Sequence, residues 1–171
     1  MNLFACDWNP AVAAQALPSK LVVKMPLETC QMLAANLGPL GLGWGSIRKK
    51  DGSPYGHRGF TNHPCTAWGR ACEANLAWMI AHGLALAAEY QRRYGRQHAT
   101  TVALDDALQL FRLHTGLPLN AWALVRGFAR AMPDALRLDT SISDVEAYRR
   151  YLRTKPYAEW RRRPEARPAW W

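Results

Sequence analysis

The chain has 171 residues, 49% of them hydrophobic and 20% charged. That size and composition favour one globular domain over residues 1–171 and exclude global low-complexity disorder. Lys and Arg number 22 against 13 Asp and Glu, a formal charge of +9, which points to an anionic partner, nucleic acid or a nucleotide ahead of a membrane surface.

No run of about 18 apolar residues is present, so no membrane span is expected. The start, MNLFACDWNP, lacks the basic-then-apolar pattern of a secretory leader. Cys6, Cys30, Cys65 and Cys72 form no Cys-x-x-Cys pair. Free thiols in a reducing cytoplasm follow.

In chain order, Asn9-Pro10 is a helix-start signal, with Asn9 as cap and a short helix over Val12–Ala16. Pro18 opens a second segment that contains Pro26. A proline there predicts a kink near Met25 or a fresh helix from Pro26 to Leu37, ended by Gly38. Residues 38–63 hold seven glycines, from Gly38 to Gly59, with Pro39 and Pro54. They read as a long basic loop, with a hairpin turn at Lys50-Asp51-Gly52.

Pro64 to Tyr94 reads as the longest helix, with Trp68, Cys72, Leu76, Met79, Gly83, Leu86 and Tyr90 on one apolar face. Further helices are expected over Thr101–Leu113, Asn120–Ala131 and Asp144–Thr154, the last opened by the Ser143–Glu146 capping box. Residues 155–171 form an Arg/Trp-rich tail whose tryptophans pin it to the core. The fold class is therefore mainly α, a compact helical domain with a long Gly-rich basic loop.

Three groups of residues suggest chemistry. Lys20, Lys24 and Glu28 are spaced by four, on one helical face. A lysine beside a carboxylate is an acid–base or nucleophile pair, the alternative being a solvated charged face. Asn62 and His63 precede Pro64 at a helix start, where His63 would bind phosphate or carry a proton, or would simply cap the helix. Lys24, Glu28 and His63 are thus the catalytic candidates. Lys20, Asn62, Arg70, Asn75, Tyr90, Arg93 and His98 are the substrate-binding candidates.

The third group is basic and aromatic: Trp44, Arg48, Lys49, Lys50, Tyr55, His57 and Arg58 in the loop, and Arg149, Arg150 and Arg153 near the C-terminus. These would contact phosphates and stack bases; a mobile loop and a solvated face are the alternatives. His57, His63, Cys65 and Cys72 lack the short spacing of a zinc site, so no metal is expected. No nucleotide-binding glycine motif is present, and no cofactor is expected.

The blocks MNLFACDWNP, KLVVKMPLET, TNHPCTAW, EYQRRYGRQH, AMPD and VEAYRRYLRTK, in that order, resemble a family of small uncharacterised proteins of bacteriophages and large DNA viruses. The resemblance covers most of the chain. Its typical His-Cys-Asp-Lys-His block is Leu17-Pro18-Ser19-Lys20-Leu21 here, so only Lys20 is kept. Lys24, Glu28, Asn62, His63, Tyr90, Arg93, Tyr94, His98, Tyr148 and Arg149 also match. The viral setting implies DNA metabolism, base modification included.

The expectation is a DNA- or nucleotide-directed phage enzyme of transferase or glycosylase type, with the 38–60 loop closing over its substrate. Two alternatives stay open: a non-catalytic DNA/RNA-binding accessory protein and a phage–host protein-interaction factor.

Overall fold

A computed structural model describes residues 1–171 as seven α-helices and two 3-10 turns, with one isolated bridge, Arg48 to Pro54, in place of a sheet. The Asn9 side chain accepts from the Ala11 and Val12 amides and starts α1 (Pro10–Gln15) where the Asn-Pro pair places it. Helix α2 (Ser19–Leu37) runs unbroken through Pro26, contrary to the expected kink or restart. Pro26 is buried and α2 packs on the three α-helices that follow it, so tertiary burial outweighs the lost backbone bond, a penalty of about 3 kcal/mol.

The long helix expected from Pro64 to Tyr94 is two helices, α3 (Pro64–Arg70) and α4 (Glu73–Tyr94). Cys72 is extended (φ −161°, ψ 164°), and the Asn75 side-chain amide donates to the Trp68 carbonyl at 2.9 Å across the break. Cys72 is consequently exposed instead of lying on the apolar face. Helix α4 is the centre of the fold and packs on α1, α2, α3, α5 (Thr101–Thr115) and the 3-10 turn Leu119–Leu124.

The helix expected over 120–131 is only that 3-10 turn; the chain beyond it is irregular. Its backbone groups serve side chains elsewhere. The Gly127 carbonyl accepts from Trp68, Ala129 from Tyr148 and Ala131 from Asn2, while the Phe128 amide donates to Asp144. Long-range partners replace the local ladder that a helix would need. Two short elements follow, α6 (Asp134–Arg137) and α7 (Asp144–Arg153), the latter capped by Ser143 Oγ on the Glu146 amide.

The tail is docked. Trp160 is buried and donates to the Ala16 carbonyl, and Trp171 packs edge-on against it. Arg163 reaches Glu89, a fully buried carboxylate that also takes Arg92 and Arg93.

Candidate active site

Glu28 lies on the side of α2 that faces inward, among Leu21, Met25 and Met32, and is 8% exposed. A buried carboxylate must be paired or hydrogen-bonded. Glu28 is met by two amines and one amide: Lys24 Nζ at 2.8 Å from Oε1, the Met1 α-amine at 3.8 Å from Oε2, and the Asn2 amide, which donates to Oε2 at 3.1 Å. The expected Lys24–Glu28 pair therefore exists, and the chain's first two residues complete it.

Asn2 holds that geometry. Its Oδ1 accepts from the Leu3 amide at 2.7 Å and the Phe4 amide at 3.1 Å, and its Nδ2 donates to the Ala131 carbonyl at 2.7 Å. The turn this builds puts Phe4 in the left-handed region (φ 50°), which costs a bulky residue energy. Phe4 is buried and its ring stacks on Tyr151 at 5.8 Å. Strain, side-chain bonds and packing all serve to bend residues 1–4 onto Glu28.

His63 closes another side. Its Nδ1 accepts from the Cys65 amide at 3.2 Å, capping α3, which leaves the proton of the neutral ring on Nε2. Burial, then the positive N-terminus, lower its pKa, while Glu28 and the Met1 backbone pull it up. His63 thus senses both Met1 and Glu28. Beneath it Cys65 is buried and contacts the Tyr148 hydroxyl at 3.9 Å; burial lifts its thiol to about 11, so it stays protonated.

Lys24 is 61% exposed, and its hydrogen bond to Glu28 raises its pKa. Val23 and Leu27 beside it are 44% and 43% exposed. The α2 face over the site is therefore cationic and apolar. Tyr157, from the tail, is close enough to Lys24 to raise its pKa slightly and carries Lys20 Nζ over its ring at 4.7 Å. A cavity of about 400 Å³ opens there, lined by Ser19, Lys20, Pro156, Tyr157, Glu159 and Arg161.

The other sequence candidates divide. Arg70 donates to the Thr61 carbonyl at 2.7 Å and to Asn36, anchoring the loop that carries the exposed Asn62. Arg93 is wholly internal, spent on Glu89 and on the Leu17 and Gln15 carbonyls, so no substrate can reach it without unfolding. Tyr90 is buried and its hydroxyl accepts from Arg96. His98 contacts Thr100 Oγ1 and the Val23 carbonyl, and Asn75 bridges α3 to α4. These last four hold helices together.

In the loop, Trp44 stacks on His114 at 5.0 Å and Arg48 pairs with Asp106 through two nitrogens, both tying the loop to α5. The Asp-Gly turn forms as expected, with Gly52 at φ 82° and the Lys49 amide donating to Ser53. Lys49, Lys50 and Arg58 are exposed without ion pairs, Tyr55 is half-buried, and His57 packs against Gly38. At the C-terminal helix Arg149 is held by Asp7 and the Cys6 carbonyl, Arg150 by Glu146, and Arg153 by Glu146 and the Trp170 carbonyl. Their charge is largely answered inside the protein. His57, His63, Cys65 and Cys72 do not gather; no three His, Cys, Asp or Glu side chains group as metal ligands. No helix is long and apolar enough to cross a membrane.

The chain is helical and basic, with a buried carboxylate between two amines beneath a cationic and apolar helix face. The model of the family "Pyrimidine dimer DNA glycosylase" matches residues 1–102, and the chain belongs to that family. It is thus a DNA glycosylase by family, with DNA as its partner. No curated protein and no solved structure matches it. The matched part contains Met1, Asn2, Lys24, Glu28 and His63; Ala131 and Tyr157 come from beyond it.

Proposed function

We propose that the protein excises pyrimidine-dimer bases from DNA by amine catalysis centred on Glu28. The observation that carries this reading is a carboxylate within 3.8 Å of two amines in a mostly buried setting. An amine is a competent nucleophile at a sugar carbon when it is unprotonated and a base is beside it.

The two amines are not equivalent. Lys24 is mostly in water and its partner keeps it cationic. The Met1 side chain is 2% exposed and its amine lies 3.8 Å from the same carboxylate, which can take its proton. The Met1 amine is therefore the nucleophile in this proposal, and Lys24 the cation that meets a phosphate. The amine lone pair attacks C1′ of the damaged nucleotide. The C1′–N1 bond breaks, and its electron pair leaves on the base, which takes a proton. Glu28 accepts a proton from the new ammonium and delivers it to O4′ as the ring opens, and the second amine proton goes to the departed base. The sugar ring opens at C1′–O4′, giving an imine between the amine and C1′ and a hydroxyl at C4′. Water hydrolyses the imine and regenerates the amine.

His63 orients Met1 through its capping geometry, and Lys20, Tyr157 and Arg161 offer the neighbouring cavity to the strand backbone.

The test is single-turnover excision on a duplex with one site-specific pyrimidine dimer. Glu28→Gln keeps the size of the side chain and one acceptor and removes the base; a loss of about 10²-fold or more is expected. Wild-type rates in Glu28→Gln, or no excision by the wild type, would overturn the proposal.

A further inference from the structure

Residues 125–133 form no helix or strand, yet each residue from Gly127 to Ala131 is bonded to another part of the chain. Arg130 makes most of those bonds. Its Nε donates to Asp144 Oδ1 at 2.6 Å, its Nη1 to the Leu136 and Asp139 carbonyls, and its Nη2 to the Ile142 carbonyl at 2.6 Å. The Arg130 side chain is 14% exposed. With its charge answered by Asp144 and its donors taken inside the protein, it is not a DNA contact.

Asp144 opens α7, and its Oδ2 accepts from the Phe128 amide at 2.8 Å. One carboxylate thus pins the chain at residues 128 and 130. Tyr148, one turn further along α7, donates to the Ala129 carbonyl between them. The next carbonyl, that of Ala131, accepts from Asn2 Nδ2 at 2.7 Å. Asn2 bends Met1 onto Glu28, and its own amide donates to Glu28 Oε2. An unbroken path therefore runs from Asp144 through Arg130, Ala131 and Asn2 to Glu28. Its first three members lie outside the residues that the family model matches.

We propose that Arg130 is a positioning residue for base excision: by fixing the Ala131 carbonyl it fixes Asn2, and with it the distance from the Met1 amine to Glu28. This rests on the glycosylase reading above. Rates depend steeply on such placement, since about 1 Å of displacement caused from outside the reacting groups costs about 10²-fold. No other side chain could hold four acceptors spread over residues 136–144 with one planar cation.

The experiment is a double-mutant cycle. Wild type, Arg130→Met, Asn2→Ala and the double variant are assayed for single-turnover excision at saturating dimer-containing duplex, with duplex affinity measured separately. Arg130→Met is expected to slow excision by about 10²-fold at unchanged affinity. The double variant should be no slower than the slower single variant, because both changes cut the same path. Glu89→Gln, destabilised far from the site, should keep the wild-type rate below its melting range, which separates positioning from folding. Should Arg130→Met not fold, Arg130→Lys, which keeps the charge but reaches fewer acceptors, carries the same comparisons. A second readout needs no DNA: reductive methylation of the Met1 amine, followed by mass spectrometry of the N-terminal peptide, should run several-fold faster in the Arg130 variant. A wild-type excision rate in the folded Arg130 variant would overturn the proposal, as would losses that multiply in the double variant or an equal loss in Glu89→Gln. Absence of excision by the wild type would instead overturn the glycosylase chemistry; methylation at an unchanged rate would then still refute the placement of Met1 by Arg130.

Discussion

Removing the Glu89 charge should destabilise the fold while leaving the active-site residues in place. Glu89 is fully buried and accepts from Arg92 Nε at 2.9 Å, Arg93 Nε at 2.7 Å and Arg163 Nη1 at 2.9 Å. The Arg93 side chain is equally buried and also holds the Leu17 and Gln15 carbonyls, just ahead of α2. Glu89→Gln keeps the volume and one acceptor but leaves the Arg93 guanidinium without a counter-charge. Breaking a buried pair from one side costs about 3–5 kcal/mol. For a chain of this size each kcal/mol moves Tm by about 2–4 °C, so a fall of roughly 10 °C is expected. Arg163 is 31% exposed, and Arg163→Met should cost no more than about 1 kcal/mol, as partly exposed pairs do. Thermal and urea unfolding followed by circular dichroism measure both. A Glu89→Gln loss below about 1 kcal/mol would refute the claim that this carboxylate neutralises an internal arginine and anchors the tail.

Other predictions follow from the site and the core. Asn2→Ala should cut excision far more than it cuts stability, because three hydrogen bonds of Asn2 bend residues 1–4 onto Glu28; excision rates set beside melting curves check this, and a proportional loss of both would contradict it. His82 is fully buried with both ring nitrogens unpartnered, and burial lowers its pKa to about 3. Between pH 6.5 and 3 the unfolded chain binds a proton that the folded chain refuses. Stability should therefore fall with acidification by up to about 1.4 kcal/mol per pH unit in that window, and His82→Leu should flatten the slope seen in urea titrations. Lys24→Gln should leave DNA binding weaker for all sequences and lower the salt slope by about 1, which a fluorescence-anisotropy salt series would show.

Much of this was legible in the residues. Asn9-Pro10, the Ser143 box and the Asp-Gly turn act locally, and each forms where its own side chains dictate. The four-residue spacing put Lys24 beside Glu28, and the pair is there. The break at Cys72 was hidden because it depends on Asn75 reaching back to Trp68. Pro26 misled because burial against other helices overrides its local penalty. The stretch after Leu124 was read as helix from its composition, yet its backbone answers Trp68, Tyr148 and Asn2, partners far away in sequence.

At the site, Met1, Asn2 and Tyr157 escaped notice because they reach Glu28 and Lys24 only through the fold. One signal was available: an acidic residue at position 28 shares the apolar stripe of Leu21, Met25 and Met32. Charge counts likewise overstated the C-terminal arginines, since net charge does not reveal that Asp7 and Glu146 already take Arg149, Arg150 and Arg153.

The central claim is that an amine beside Glu28 forms a covalent bond with the sugar. Borohydride reduction during the reaction with a dimer-containing duplex, followed by proteolysis and mass spectrometry, tests it directly. The account predicts a DNA–protein adduct on the peptide that starts at Met1, present in wild type and in Lys24→Gln. An excision reaction that leaves no reducible adduct, or an adduct on any residue other than Met1, would contradict it.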